Sequence, residues 1–225
     1  MEAVVMAAGE GRRLRPITER YAKPVLPVDG RPVIVTLLHE LRAAGIERAA
    51  VVVGHLQEQV RALLDGFPFD LRFVEQPEAL GSADAVAWAD AAPPYLVVAA
   101  DTVFTPGDVG RFLAAVEGSA GAIAVRRVPP PDAAHRHGVV LEDGLITRFH
   151  AEDGPFSGAP LWSVGPAVHE LVTGRPGRPP WELGTAFQGA VDSGLAIRGL
   201  EIGPTRDLTH PLDCLERNVA YLRAL

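Results

Sequence analysis

Of the 21 basic side chains in this 225-residue chain, 20 are arginine, and Lys23 is the only lysine. A composition this biased makes arginine the default cation. A single ammonium then points to a site that wants a compact charge with freely rotating donors rather than a flat fork. Lys23 stands in a loop, residues 9–24, where Arg12, Arg13, Arg15, Arg20 and Lys23 outweigh Glu10 and Glu19. The chain as a whole carries a formal charge of −7. A local positive patch on an acidic protein suggests a small anionic ligand held at one place. The loop follows an apolar run directly and reads Met6-Ala-Ala-Gly-Glu-Gly-Arg-Arg-Leu-Arg-Pro. Gly9 and Gly11 let the backbone turn tightly and aim N–H groups at phosphate oxygens. Arg13 can add a forked, charge-assisted contact. Ala7 and Ala8 keep the approach narrow for a base or ribose.

Two common nucleotide loops are excluded. There is no Gly-Lys-Ser or Gly-Lys-Thr, as a Walker A loop needs. Leu14 stands where the third small residue of a dinucleotide-binding loop belongs, and the second strand ends Val53-Gly54-His55 without the acid that holds a ribose. Asp101 ends another apolar run. A carboxylate at the carboxyl end of a central strand is well placed for a ligand, and Mg²⁺ takes one or two carboxylates together with phosphate oxygens. Gln76 offers both a donor and an acceptor, as a pyrimidine edge requires, and leaves the base open.

The elements that must position these residues alternate. Strands are predicted over 2–7, 49–53, 71–75 and 95–100. Helices are predicted over 32–44, 55–65, 82–90 and 106–117, the last with Thr105 as N-cap. This pattern predicts an α/β fold with a largely parallel sheet covered by helices. The second half is less regular. Short strands are predicted over 122–128, 138–141, 145–149 and 161–164, helices over 181–193 and 211–225, and loops over 129–131 and 174–180. Asp213 is expected to favour a helix N-terminus electrostatically. One domain over 1–225 is expected. A nucleotide-binding half covers about 1–118 and an acceptor-binding half about 119–225, with a small lobe around 128–181.

Composition narrows the classes of function. Hydrophobic content of 48% fits a globular chain. The acidic balance argues against nucleic acid and anionic membranes as partners. No apolar run approaches the ~20 residues of a membrane span. The first residues lack the basic and apolar regions of a secretory signal, and the lone Cys214 can form neither an internal disulfide nor a thiolate cluster. A cytoplasmic location is the expectation. The sequence leaves a homo-oligomer open.

The stretch AAGEGRRLRPITERYAKPVLPVDGRPVI resembles the N-terminal signature of the sugar-1-phosphate nucleotidylyltransferases, a Gly-x-Gly-x-Arg-Leu loop with Lys-Pro ten residues after the arginine. Arg13 and Lys23 hold that spacing, and Lys23-Pro24, Pro27-Val28 and Pro32-Val33 follow. The resemblance implies a Rossmann-like nucleotide-diphospho-sugar transferase fold, with a mostly parallel mixed sheet flanked by helices. It implies that Arg13 and Lys23 are catalytic and contact the triphosphate, with Lys23 at the α-phosphate. The segment Gln76-Pro-Glu-Ala-Leu-Gly81-Ser82 is similar to the family's base-reading element, commonly for uracil or thymine. Ala-Asp101-Thr and the stretch from Asp207 to Asp213 resemble its two metal elements, which implies Asp101 and Asp207 as partners on Mg²⁺. The partners implied are an NTP, expected to be UTP or dTTP, and a sugar 1-phosphate, joined with release of pyrophosphate.

The acceptor half departs from the pattern. Relatives carry Glu-Lys-Pro where this chain reads Phe149-His150-Ala151-Glu152. Arg148, His150, Arg126 or Arg127 are the candidates to replace that lysine. His137-Gly138 is similar to an aromatic-Gly sugar contact, and Trp181-Glu182 to a glutamate that reaches a sugar hydroxyl. Two other readings stand beside this one: a cytidylyltransferase for a phosphate such as phosphocholine, and a nucleotide-binding regulatory module without catalysis. The hexapeptide repeat of an appended β-helix is not present in the sequence.

Overall fold

The computed structural model describes residues 1–127, 138–151 and 154–224. The first half alternates as the apolar periodicity requires. β1 (Glu2–Ala7) leads through three 3₁₀ turns (Arg12–Leu14, Ile17–Glu19 and Lys23–Val25) to a ribbon of β2 (Pro27–Val28) and β3 (Arg31–Pro32). Then come α1 (Val33–Ala43), β4 (Arg48–Val53), α2 (Gln57–Leu64), β5 (Asp70–Glu75), α3 (Ser82–Ala89), β6 (Tyr95–Ala99), β7 (Thr102–Val103) and α4 (Asp108–Val116). The second half runs β8 (Gly121–Arg127), β9 (Gly138–Glu142), β10 (Leu145–Phe149), β11 (Phe156–Val164), α5 (Pro166–Gly174), α6 (Leu183–Asp192), β12 (Ile197–Glu201), β13 (Arg206–Asp207), α7 (Pro211–Glu216) and α8 (Val219–Ala224).

Among the described residues nine strands form one sheet in the order β5-β4-β1-β6-β11-β8-β12-β10-β9. The β5-β4-β1-β6 section is parallel. β11 runs antiparallel to both β6 and β8, so the sheet is mixed. Its central strands are apolar on both faces because helices cover both faces. Ala3, Val5, Val51, Leu96 and Val98 meet Leu37 and Leu41 of α1, Val60 of α2 and Phe112 of α4. The alternate residues Val4, Val52 and Val97 meet Val86 of α3, Val168 of α5 and Phe187 of α6.

The parallel section fixes where a ligand can sit. β5, β1 and β6 end at Glu75, Ala7 and Ala99 along one rim, so Gln76, the glycine loop and Asp101 leave the sheet side by side. This is the carboxyl-end crevice at which α/β sheets bind ligands.

Several expectations are corrected. The strand expected over 161–164 is the end of the nine-residue β11. β12 was not foreseen, because Gly199 and two charges disguise it. A Cβ there would come 2.5 Å from Leu141 Cδ2, so a larger residue would require the Leu141 side chain to shift. The expected helix over 211–225 is two short helices, α7 and α8. Thr105 does not cap α4. Gly107, in the left-handed region at φ 85°, holds the N-cap position, and the Thr105 hydroxyl donates instead to the Pro204 carbonyl at 2.9 Å. The loop expected over 129–131, His137, and the start of the acceptor lobe at 128 lie outside the described residues.

Candidate functional site

The glycine loop turns at Gly11, not at Gly9. Gly11 sits at φ 61°, and a Cβ there would come 2.8 Å from Thr18 Cγ2. Both the backbone conformation and the space therefore demand glycine. The Thr18 hydroxyl donates to the Gly11 carbonyl at 2.9 Å and ties the loop shut. A Cβ at Gly9 would meet nothing within 4 Å, so the fold itself has no need of glycine there. The loop and the sheet rim border a cleft of about 440 Å³. Ala7, Ala8, Gly9, Gly11, Arg13, Lys23, Gln76, Gly81, Ser82, Asp101 and Glu182 all line it. Glu10 holds Arg12 at 2.9 Å and Arg15 at 3.4 Å, which keeps its carboxyl below the usual range. The exposed Arg13 has no such partner among the described residues.

Two distant aspartates meet beside this cleft: Asp101 lines it, and Asp207, which does not, is brought next to Asp101. β13 pairs antiparallel with β7, and the register sets Asp207 opposite Thr102. The buried Thr102 hydroxyl donates to Asp207 Oδ1 at 2.8 Å and lies 3.3 Å from Asp101 Oδ1. Sharing one hydroxyl bounds the separation of those two oxygens at about 6 Å, so the two carboxylates are neighbours, and a shared Mg²⁺, with its ligand oxygens about 4 Å apart or less, would draw them closer. Each carboxylate is also paired with a cation of the chain. Lys23 Nζ donates to Asp101 Oδ2, and Arg126 Nη1 donates to Asp207 Oδ2 at 2.9 Å. The side chains of Lys23 and Arg126 are only 15% and 14% exposed, so these contacts are shielded from bulk water more than surface pairs are. The donor set is hard carboxylate oxygen, 28% and 29% exposed, which suits Mg²⁺ better than a softer metal.

A small apolar cluster sets this geometry. Leu14, Leu26, Val28, Val33, Val103 and Leu208 pack together, with Cys214 against them. Leu14 follows Arg13, Leu26 lies three residues after Lys23, Val103 two after Asp101, and Leu208 one after Asp207. Burying these four fixes the exit directions of the four polar side chains. Burial also pushes the Cys214 thiol up, with Asp213 adding to the shift, which holds it in the un-ionised form.

Behind Leu208, Asp213 accepts from the Thr209 and His210 amides, each at 2.7 Å, and closes a capping box on α7. This is the helix-start role expected of it. Burial raises its pKa, but those two amides and the Arg217 charge outweigh that and hold it below its ordinary value. A depressed carboxylate stabilises the fold above its ordinary pKa, and the contribution is lost as pH falls through the folded one. Asp213→Ala is expected to cost about 1 kcal/mol at neutral pH. The loss should shrink in acid, as read by thermal unfolding at pH 7 and at pH 3.

The acceptor residues are scattered. Glu182 accepts from the Ser82 amide at 3.2 Å and from its hydroxyl, and so straps α6 to the start of α3. Gly138, Arg148 and His150 lie on or beside β9 and β10 and do not line the cleft. Glycine at 138 has a packing reason, since a Cβ would come within 1.7 Å of the Ala151 carbonyl. Of the two arginines of β8, Arg127 turns to Glu201 at 3.3 Å and lies over Phe156, whereas Arg126 reaches Asp207. Sequence reasoning missed Thr102, and missed the contact of Arg126 with Asp207. A threonine after an aspartate carries no signal of its own; only the β7–β13 pairing gives it a role.

Comparison with known proteins bears on this arrangement. Residues 3–176 match the MobA-like NTP transferase domain. The chain is 32% identical over 244 residues to a glucose-1-phosphate thymidylyltransferase of Streptomyces antibioticus, covering all of this chain and 67% of that protein. It is 46% identical over 66 residues to a 2-aminoethylphosphonate cytidylyltransferase of Lancefieldella rimae, covering 29% of this chain and 27% of that one. The chain thus spans about two thirds of the length of the first relative. A solved structure described as a putative glucose-1-phosphate thymidylyltransferase from Bacillus anthracis superposes at a TM-score of 0.85. It covers 98% of this chain and 95% of that chain at 18% identity, a likeness of fold. Among the described residues no helix is long and apolar enough to cross a membrane.

Proposed function

This chain belongs to the MobA-like NTP transferase family, and from that premise we propose that it transfers a nucleotidyl group from UTP or dTTP to a sugar 1-phosphate. The observation that carries the reading is that Asp101 and Lys23 pair in the lining of the glycine-loop cleft and that Thr102 ties Asp207 to Asp101 just outside that lining. A phosphate oxygen of the acceptor attacks the α-phosphorus in line. The bond to the β-phosphate breaks, and pyrophosphate leaves with its electron pair. The attacking oxygen is already anionic, so the step needs no general base. Catalysis then consists of positioning and of neutralising charge.

The residues divide the work. The loop of Gly9, Gly11 and Arg13 holds the triphosphate, and Ala7 and Ala8 border the nucleoside. Asp101 and Asp207 would hold Mg²⁺, which would neutralise phosphate charge and polarise the phosphorus. Lys23, released from Asp101, turns its ammonium to the α-phosphate as charge builds there. Arg126, released from Asp207, is the candidate to hold the acceptor phosphate in place of the family's second lysine. Arg148, His150 and Gly138 on the lobe, and Glu182 in the cleft lining, remain the acceptor-side candidates.

The test is a matrix assay of pyrophosphate release with ATP, GTP, CTP, UTP and dTTP against several sugar 1-phosphates and phosphocholine, with Mg²⁺ present and absent. Turnover is expected with UTP or dTTP and a sugar 1-phosphate, and only with the metal. Silence across the matrix would leave a non-catalytic nucleotide-binding module, and turnover confined to CTP with phosphocholine would replace the sugar acceptor.

A further inference from the structure

We propose that Asp84, held by Arg175, sets the base preference of this cleft by fixing Gln76 as a hydrogen-bond acceptor. The inference rests on the reading that the cleft takes a nucleoside triphosphate. A glutamine on its own can turn either end of its amide to a ligand. Here one end is committed. Gln76 Nε2 donates to Asp84 Oδ2 at 2.7 Å and to the Gly81 carbonyl at 3.3 Å. Both partners only accept, so both amide hydrogens point away from the ligand. Asp84 cannot turn, because its other oxygen accepts from Arg175 Nη1 at 2.6 Å and its side chain is 2% exposed. Arg175 is steadied in turn over the Trp181 ring, 5.8 Å from its centroid.

What remains for the cleft is Gln76 Oε1, which has no partner among the described residues. The Gly81 amide, in the residue whose carbonyl lies 3.3 Å from Gln76 Nε2, also donates to none of them. Both residues line the cleft. Gly81 is held there by backbone geometry: it has φ 116°, and a Cβ would come 2.2 Å from the Trp181 carbonyl. The site therefore offers an acceptor next to a donor. Uracil, thymine and guanine each present a ring N–H beside a carbonyl, which complements that order. Cytosine and adenine present a bare ring nitrogen, whose lone pair would face the lone pairs of Oε1. A mismatch of this kind leaves two polar groups unsatisfied in a confined site. Bases with a ring N–H are thus the class selected, and Asp84 is a positioning residue for that choice.

The test is Asp84→Asn. Arg175 only donates, so the introduced amide keeps its oxygen toward Arg175 and turns its NH₂ to Gln76. Gln76 is then driven to reverse, with Oε1 toward position 84 and Nε2 toward the cleft, because the 2.7 Å contact at position 84 outweighs the longer 3.3 Å contact to the Gly81 carbonyl that reversal gives up. In the unaltered protein, UTP is expected to exceed CTP in kcat/KM by about tenfold or more, and UDP to bind more tightly than CDP by calorimetry. In the variant both ratios should fall by about tenfold or invert. A variant that keeps the original ratios overturns the proposal, as does an unaltered protein that prefers CTP. If Asp84→Asn does not fold, Gln76→Ala tests the acceptor on which the role of Asp84 depends: it should bring both ratios close to one, and an unchanged preference overturns the proposal. The calorimetry separates this inference from the functional reading. A UDP preference without turnover on any acceptor removes the transferase and keeps the base selection. Turnover with CTP favoured over UTP does the reverse.

Discussion

Lys23→Ala is expected to lower kcat by about 10²–10³ while the fold persists, because it removes the one compact cation aimed at charge that grows in the transition state. The effect on stability should be small. Lys23 and Asp101 are 15% and 28% exposed, more shielded than a surface pair but still reached by water, so the loss should be about 1 kcal/mol, the upper end for exposed pairs. Loss should appear in kcat more than in KM for the nucleotide, because ground-state binding also draws on the loop amides and Arg13. Lys23→Arg should recover only part of the rate. A planar guanidinium cannot rotate its donors about the phosphate as an ammonium can, and Pro24 and the packed Leu26 hold the backbone where it is. Steady-state kinetics beside a thermal melt would decide. A Lys23→Ala protein with unaltered kcat would take Lys23 out of the chemistry.

Asp207→Asn should be comparably damaging, and its signature is metal dependence. The substitution keeps the side chain's size but removes one of two negative charges around the cation, leaving Asp101 and phosphate oxygens. Activity should fall by about 10² or more at ordinary Mg²⁺, and the concentration of Mg²⁺ giving half-maximal rate should rise severalfold. Arg126 would also lose the carboxylate it now contacts at 2.9 Å. A companion Thr102→Val separates the two effects. It removes the hydroxyl shared by Asp101 and Asp207 but no charge, so it should lower the rate less and shift the Mg²⁺ requirement only slightly. Titrating rate against Mg²⁺ for all three proteins reads both outcomes. Should Asp207→Asn match the unaltered protein in rate and in metal requirement, the two-carboxylate site is wrong.

The α/β alternation of residues 1–118 was legible in the chain because each element there obeys its own period. β1, β4 and β6 are short apolar runs covered on both faces, and α1 presents Ile34, Leu37, Leu38 and Leu41 at helical spacing. The second half was less legible for a physical reason. β12 is broken by a glycine that serves Leu141 of another strand, and a requirement imposed by a neighbour leaves no period of its own. The capping of α4 was misread in the same way, since Thr105 spends its hydroxyl on Pro204, 99 residues away.

Site chemistry divides along a similar line. The sequence alone determined the identities that local rules impose: a glycine turn after a buried strand, a single ammonium in an arginine-rich chain, and an aspartate where an apolar run stops. These depend on contacts within a few residues and are written in adjacent letters. Tertiary structure alone decided that Asp207 stands opposite Thr102 and near Asp101, and that Arg126 rather than Arg127 reaches Asp207. It alone decided that Asp84 takes one end of Gln76 out of play. Each of these outcomes is set by burial and pairing between segments far apart in the chain, where the free energy of one side chain depends on which distant neighbour arrives.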